Sequence, residues 1–119
     1  MGMRANERDP AYVVEMIHAA GRTLEFLGDR ETAGLEADAV LLAAIEHELI
    51  VLGEAAGRVS EGFRRGHADI PWGRIAGMRN VLVHEYGVVD VGEVWRTVAK
   101  GLPELLAQLE PVVPSEPGA

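Results

Sequence analysis

Four side chains suited to proton transfer and phosphate chemistry lie within eight positions of the sequence: Arg79, Asn80, His84 and Tyr86. A histidine titrates near neutral pH and can take a proton from a ribose hydroxyl or return one. An arginine can stabilise the extra negative charge of a pentavalent phosphate. On an ideal helix Asn80 and His84 lie one turn apart on one face, and Arg79 and Tyr86 lie two turns apart on a neighbouring face. Arg79 and His84 could therefore promote attack of a ribose 2′-hydroxyl on its own phosphodiester without a metal ion.

The same residue types also have a structural explanation. An Arg, a His and a Tyr near a helix end more often form a capping and surface hydrogen-bond cluster than a catalytic site. The residue types and their spacing leave both interpretations open.

Other chemical signatures are incomplete. His47 and Glu48 begin an HExxH zinc motif, but Val51 occupies the position of the second His. The chain has no cysteine, which excludes disulfides, thiolate metal sites and a cysteine nucleophile. It also lacks the glycine-rich loops that cradle nucleotide phosphates. We therefore expect neither a metal ion nor a cofactor.

Hydrophobic periodicity predicts an all-α fold, an antiparallel bundle of four to five helices. Asp9 and Pro10 resemble a helix start, with Asp as the cap and Pro in the first turn, followed by a helix over residues 11–27. Gly28 is a candidate C-cap, and residues 29–34 are predicted to form a loop or an irregular first turn.

A second helix, the central one of the core, is predicted over residues 35–59, followed by a short extra turn over residues 60–66. Residues 69–72, Asp-Ile-Pro-Trp, resemble a helix entrance. The third long helix should then cover residues 72–86 and carry the candidate site, with Gly87 at its end.

The last helix is predicted over residues 90–109, with Pro103 as a candidate kink. At 119 residues the chain fits a single domain. We assign it to residues 9–110, with residues 1–8 as a flexible N-terminus and residues 111–119, which contain three prolines, as a flexible tail.

The net charge of −8 argues against a broad basic face for nucleic acid. A local cluster could compensate, because five arginines are close in sequence: Arg58, Arg64, Arg65, Arg74 and Arg79. A basic partner would explain the acidity equally well. No apolar run approaches the roughly 20 residues that cross a bilayer, and the polar N-terminus has no signal-peptide core. We expect a cytoplasmic protein without a membrane segment.

Several motifs together resemble the HepT-like branch of the HEPN domains. They are, in order, Gly53-Glu54-Ala55-Ala56, Asp69-Ile70-Pro71-Trp72, Met78-Arg79-Asn80 and His84-Glu85-Tyr86, with Val94-Trp95 and Leu102-Pro103 in the closing helix. The resemblance extends over roughly residues 9–109.

This resemblance implies a homodimeric helical bundle that brings two copies of the Arg, four residues, His, one residue, Tyr motif into a shared cleft. It implies that Arg79 and His84 are catalytic in metal-independent RNA cleavage and that Asn80 orients them. It further implies the toxin role in a type VII-like toxin–antitoxin system. The antitoxin partner would be a minimal, MntA-like nucleotidyltransferase that transfers AMP from ATP to Tyr86, where added charge and bulk exclude RNA.

An alternative hypothesis is a non-catalytic HEPN helical module that binds a nucleotidyltransferase partner or a nucleotide. The net charge of −8 and the absence of an extended basic groove favour it. The orientation of Glu54, towards the cleft, the core or the helix surface, stays open.

Overall fold

The computed structural model describes residues 5–82 and 88–113, and within these ranges it contains helices and no strand. The all-α prediction is confirmed, whereas the predicted count of four to five helices is not, because the described residues form eight α-helical segments, some of them consecutive parts of one helix. They are α1 (Ala5–Leu27), α2 (Thr32–Glu36), α3 (Ala39–Arg58), α4 (Glu61–Gly66), α5 (Trp72–Ala76), α6 (Met78–Leu82), α7 (Val91–Arg96) and α8 (Leu102–Leu109). A π-helical segment, Thr97–Gly101, joins α7 to α8, and a 3₁₀ turn, Glu110–Val112, follows α8.

The bundle is built around α1 and α3, which pack along one another over most of their length. Helices α5 and α6 pack on α3, and the π segment and α8 pack on α1. Apolar side chains repeated at three and four residues fill the space between these helices, among them Met16, Ile45, Leu49, Val98 and Leu105. None of the helices in the described ranges has the length and apolar character needed to cross a bilayer.

The predicted helix start at Asp9 is wrong, because α1 is already helical at Ala5 and Pro10 lies inside it. The Asp9 carboxylate is only 1% exposed, and it forms its hydrogen bonds at the start of another helix, α4. It accepts hydrogen bonds from the backbone N–H of Ser60 at 2.7 Å and from the Ser60 hydroxyl at 2.5 Å. Ser60 is in turn the N-cap of α4, where its Oγ accepts from the N–H of Phe63. The aspartate therefore fixes a cap that lies 51 residues away along the chain.

The second helix does not run unbroken from residue 35. Gly28 ends α1 with a positive φ of 59°, as expected for a C-cap, and the following residues include the short helix α2. Leu35 of α2 is fully buried. Asp38 then starts α3 as its N-cap, with its side chain accepting from the N–H of Leu41 at 3.0 Å.

The predicted third helix is also interrupted, at Gly77 between α5 and α6. The last helix continues from Val91 to Leu109, but its middle turn is π-helical. Pro103 has no N–H to bond to the carbonyl of Ala99, as a regular helix would require, and the widened turn lies directly before it. The kink expected at Pro103 thus takes the form of a π turn.

A glycine lets α3 approach α5 and α6 closely. A Cβ atom at Gly53 would lie 3.0 Å from the carbonyl oxygen of Ile75 and 3.4 Å from the Cβ of Met78. Gly53 itself is buried, together with Ala55 and Ala56 on the same helix. The small residues of this segment therefore let α5 and α6, which lead to the candidate site, pack close to α3.

We expect Gly53→Ala to destabilise the fold by about 1–3 kcal/mol, because the new methyl group would meet backbone atoms that cannot rotate away. Gly57→Ala is the matched control in the same helix, since nothing lies within 4 Å of its Cβ position. That change should raise stability by up to about 1 kcal/mol through helix propensity. Urea denaturation of both variants measures the difference, and equal effects of the two would contradict the close-approach explanation.

Candidate functional site

Helix α6 presents the first half of the predicted motif to solvent. Arg79 and Asn80 are both exposed, whereas Met78 and Leu82 on either side of them are buried at 5% and 2% exposure. The Arg79 guanidinium forms no hydrogen bond or ion pair with the residues that the structure describes. Its charge is therefore available to an anion from outside the chain.

Helices α5 and α6 are held in place by the segment before them. The indole N–H of Trp72 donates to the carbonyl of His67 at 3.0 Å, and the Trp72 ring meets Phe63 edge-to-face at a centroid distance of 6.0 Å. From the other side, the Gln108 side chain donates to the carbonyl of Asp69 at 3.1 Å. The helix entrance predicted at residues 69–72 is confirmed, because α5 begins at Trp72.

The second half of the motif lies outside the described residues, since His84 and Tyr86 fall within residues 83–87. The structure thus positions Arg79 and Asn80, and the roles of all four residues stay predictions. Glu54 is exposed on α3, next to the buried Gly53, so its side chain does not pack in the core.

A groove of about 440 Å³ lies beside α6, between the α5–α6 wall and the wall formed by α7, the π segment and α8. Its buried apolar residues are Ile75, Met78, Leu102 and Leu105. Its charged lining consists of Arg74, Arg96, Lys100, Glu93 and Glu104. The groove therefore carries a small positive excess, three cationic against two acidic side chains, in an acidic chain.

Among the five clustered arginines, only Arg74 lines this groove. Arg64 donates to the carbonyl of Ala56 at 2.7 Å, and Arg65 pairs with Glu61 at 2.8 Å. Sequence reasoning missed the other two groove cations, which come from a distant part of the chain. The available signal was only their spacing, because Arg96 and Lys100 are four residues apart on the face opposite the apolar residues Val94, Val98 and Leu102.

The incomplete zinc motif on α3 has a structural role. The Glu48 carboxylate, 9% exposed, accepts from Arg22 Nε at 3.1 Å and from Nη2 at 2.9 Å, which ties α3 to α1. The hydrogen bond to Glu48 raises the pKa of the Arg22 guanidinium above its usual value. Across the described part of the chain, no three His, Asp or Glu side chains converge as metal ligands.

The sequence pattern over residues 16–112 matches the family model described as ribonuclease HepT-like. The matched region covers most of the chain, including all helices from α2 to α8. The chain belongs to the HepT-like ribonuclease family.

Individual relatives agree with this assignment. A protein of Caldanaerobacter subterraneus subsp. tengcongensis, named as a candidate RNase, is 39% identical over 79 residues, covering 66% of this chain and 70% of the relative. A probable ribonuclease HepT of Thermococcus cleftensis is 33% identical over 105 residues, covering 86% of this chain and 87% of the relative. A candidate RNase of Methanocaldococcus jannaschii is 26% identical over 100 residues, covering 84% and 92%. No solved structure matches the chain.

Proposed function

We propose that this protein is a metal-independent RNA endonuclease whose catalytic residues are Arg79 and His84. The observation that carries the proposal is the exposed Arg79 on α6, which has no partner among the described residues and is followed at the family spacing by His84. Membership of a ribonuclease family supports it, as do the relatives named as RNases.

In the proposed reaction His84 removes the proton from a ribose 2′-hydroxyl, and the resulting oxyanion attacks the adjacent phosphorus. Arg79 stabilises the additional negative charge of the pentavalent phosphorane, and Asn80 orients the reacting groups. The bond from phosphorus to the 5′-oxygen then breaks, and that oxygen receives the proton from His84. The products are a 2′,3′-cyclic phosphate and a 5′-hydroxyl, and no redox change or further reactant is needed.

Metal independence gives the first test. Purified protein should cleave a mixture of transfer and messenger RNA at an unchanged rate in excess chelator, because the proposed acid–base and charge-stabilising groups all belong to the chain. The new ends should be 2′,3′-cyclic phosphates, detected by their resistance to 3′-end ligation until the cyclic phosphate is opened and the resulting phosphomonoester is removed by a phosphatase.

Loss of cleavage in chelator, restored by a divalent ion, would contradict the mechanism. No cleavage at all by folded protein, with Tyr86 shown by mass to be unmodified, would instead favour the non-catalytic partner module. The net charge of −8 is the observation that supports that second candidate.

We also propose that the chain is the cytoplasmic toxin of a type VII-like toxin–antitoxin pair and acts as a homodimer. Dimerisation would place two copies of Arg79 in one cleft, supplying more positive charge than a single chain presents. The antitoxin would be an MntA-like nucleotidyltransferase that transfers AMP to the Tyr86 hydroxyl, releasing pyrophosphate from ATP. The attached phosphate would then occupy and repel the site of the RNA phosphate.

Tyrosine modification has an internal control, because the chain contains two tyrosines, Tyr12 and Tyr86. Incubation with the nucleotidyltransferase and ATP should add AMP to wild type and to Tyr12→Phe, abolish their RNA cleavage and leave Tyr86→Phe unmodified. Intact mass, peptide mapping and light scattering measure the modification, its position and the oligomeric state. AMP retained on Tyr86→Phe, or a strict monomer at micromolar concentration, would contradict the corresponding part of the proposal.

A further inference from the structure

We propose that the groove beside α6 binds the sugar-phosphate backbone of the RNA substrate outside the catalytic centre, with Arg74, Arg96 and Lys100 contacting phosphates. This inference rests on the proposed function, because it identifies a second substrate contact for the same site. RNA binding by the groove can nevertheless be tested with an RNA that is not cleaved.

The charge of the groove is opposite to that of the chain. The chain has 11 Lys and Arg against 19 Asp and Glu, whereas the groove is lined by three cationic and two acidic side chains. Arg74, Arg96 and Lys100 are exposed, and none forms an ion pair with a described residue. An acidic protein that must bind a polyanion needs such a local concentration of unpaired cations.

Lys100 and Arg96 each lie close to another residue of the last helix, Lys100 to Trp95 and Arg96 to Gly92. Lys100 Nζ lies 5.7 Å from the centre of the Trp95 ring, a cation–π contact that restricts the flexible lysine. The Trp95 indole N–H donates to the carbonyl of Arg30 at 2.8 Å, so the ring is itself held. Arg96 Nη1 lies 3.5 Å from the position of a Cβ atom at Gly92, which indicates that its guanidinium lies over this glycine.

The π segment contributes directly to the groove. Thr97, Lys100 and Gly101 all line it, and Arg96 immediately precedes them. A π turn bonds residues five apart, which widens the helix and changes which residues share a face. Single π turns inside α-helices occur frequently at functional sites. Arg96 and Lys100, four residues apart across this turn, both line the cavity.

The groove borders the helix that carries the candidate catalytic residue Arg79. Met78 lines its α5–α6 wall, and Arg79 follows at the next position, on the exposed surface of the same helix. An RNA strand that contacts Arg74, Arg96 and Lys100 in the groove would therefore lie beside the helix that carries Arg79. The phosphate flanking the cleaved bond would be held while the reacting one meets the catalytic groups.

The test measures binding of a fluorescent 2′-O-methyl RNA, which lacks the nucleophilic hydroxyl and is not cleaved. Full-length wild type, Arg96→Ala/Lys100→Ala and the control Arg8→Ala/Arg58→Ala are compared over a range of salt concentrations. The control removes the same charge from exposed residues outside the groove. Thermal melting confirms that all variants are folded.

We expect the groove pair, Arg96→Ala/Lys100→Ala, to raise Kd roughly tenfold. It should also lower the slope of log Kd against log salt concentration by about 1.4, because each of the two lost phosphate contacts contributes about 0.7 on a single strand. The control pair should change Kd less than about twofold by comparison. Glu104→Gln should instead tighten binding, because it removes a negative charge from the groove. In cleavage assays the groove pair should raise KM and leave kcat near the wild-type value.

Equal weakening by the two pairs would overturn the proposal, because it would reduce the effect to net charge. Undetectable binding by wild type at low salt would also overturn it, as would loss of nucleotidyltransferase binding in the groove pair with unchanged RNA affinity. If RNA binding depends on the groove but wild type does not cleave, the groove is supported and the proposed catalysis fails. If the groove pair cleaves RNA normally with an unchanged KM, the groove proposal fails and the proposed catalysis is supported.

Discussion

Arg79→Ala is expected to reduce RNA cleavage on the order of 10²- to 10³-fold, the usual cost of removing a group that stabilises transition-state charge. His84→Ala should cost at least as much, because it removes the proton acceptor of the first step. Arg79 is exposed and makes no hydrogen bond or ion pair within the described residues, so its loss should leave the melting temperature unchanged. Initial rates at saturating RNA and thermal melts measure the two effects separately.

The conservative variant tests how Arg79 acts. Arg79→Lys keeps the charge but loses the planar pair of donors that can meet two phosphate oxygens, so it should recover only part of the rate. The double variant with His84→Ala should be little worse than the poorer single variant, since residues acting in one step are not additive. Arg58→Ala, an exposed arginine on α3, is the matched control and should keep wild-type kcat. Near-normal cleavage by Arg79→Ala would refute the catalytic assignment.

The positions of Arg79 and Asn80 were predictable because they lie between apolar residues of helical periodicity. Met78 and Leu82, four residues apart, face the core, whereas Arg79 and Asn80 face solvent. The break at Gly77 was not predictable from periodicity, because a short interruption leaves the apolar pattern on both sides intact. Near this break α3 approaches the backbone of Ile75 across Gly53, a tertiary contact that the local sequence does not show.

Asp9 shows why a correct local signal gave a wrong helix boundary. Aspartate before proline is typical of a helix start, and the residue does cap, but its carboxylate stabilises Ser60 at the start of α4. A partner 51 residues away has no signature in the local sequence. The groove could not be predicted for the same reason, because Arg74 and Lys100 line one cavity only once the last helix has packed along the bundle.

The largest expected loss of stability comes from Asp9→Ala, which we expect to lower the free energy of unfolding by about 2–4 kcal/mol. The substitution removes the acceptor of two short hydrogen bonds from Ser60 and leaves a cavity at a site that is 1% exposed. It also weakens the cap of α4. Urea denaturation measures the loss, and the Tm should fall on the order of 10 °C.

Two further variants separate the contributions of charge, shape and cap. Asp9→Asn keeps an acceptor for the N–H of Ser60 and should lose less than Asp9→Ala. Ser60→Ala removes the hydroxyl that bonds both Asp9 and Phe63, at a cost of about 1–2 kcal/mol. In a double-mutant cycle the two losses should be less than additive, because each substitution alone already removes the hydrogen bond from the Ser60 hydroxyl to Asp9. Asp29→Ala, an exposed aspartate, is the control, and a loss from Asp9→Ala no greater than this would contradict the assignment.

The Asp9 variants also separate folding from catalysis. Helix α4 supplies Phe63, whose ring packs against Trp72 at the start of α5, and α5 leads into α6 with Arg79. Loss of the α4 cap could therefore affect the candidate site only through the contact of Phe63 with Trp72 and the connection from α5 to α6. At a temperature well below the melting transition, the folded fraction of Asp9→Ala should keep wild-type kcat, whereas Arg79→Ala should stay inactive at every temperature. A fall in kcat of folded Asp9→Ala would show that the α4 cap positions the site as well as stabilising the fold.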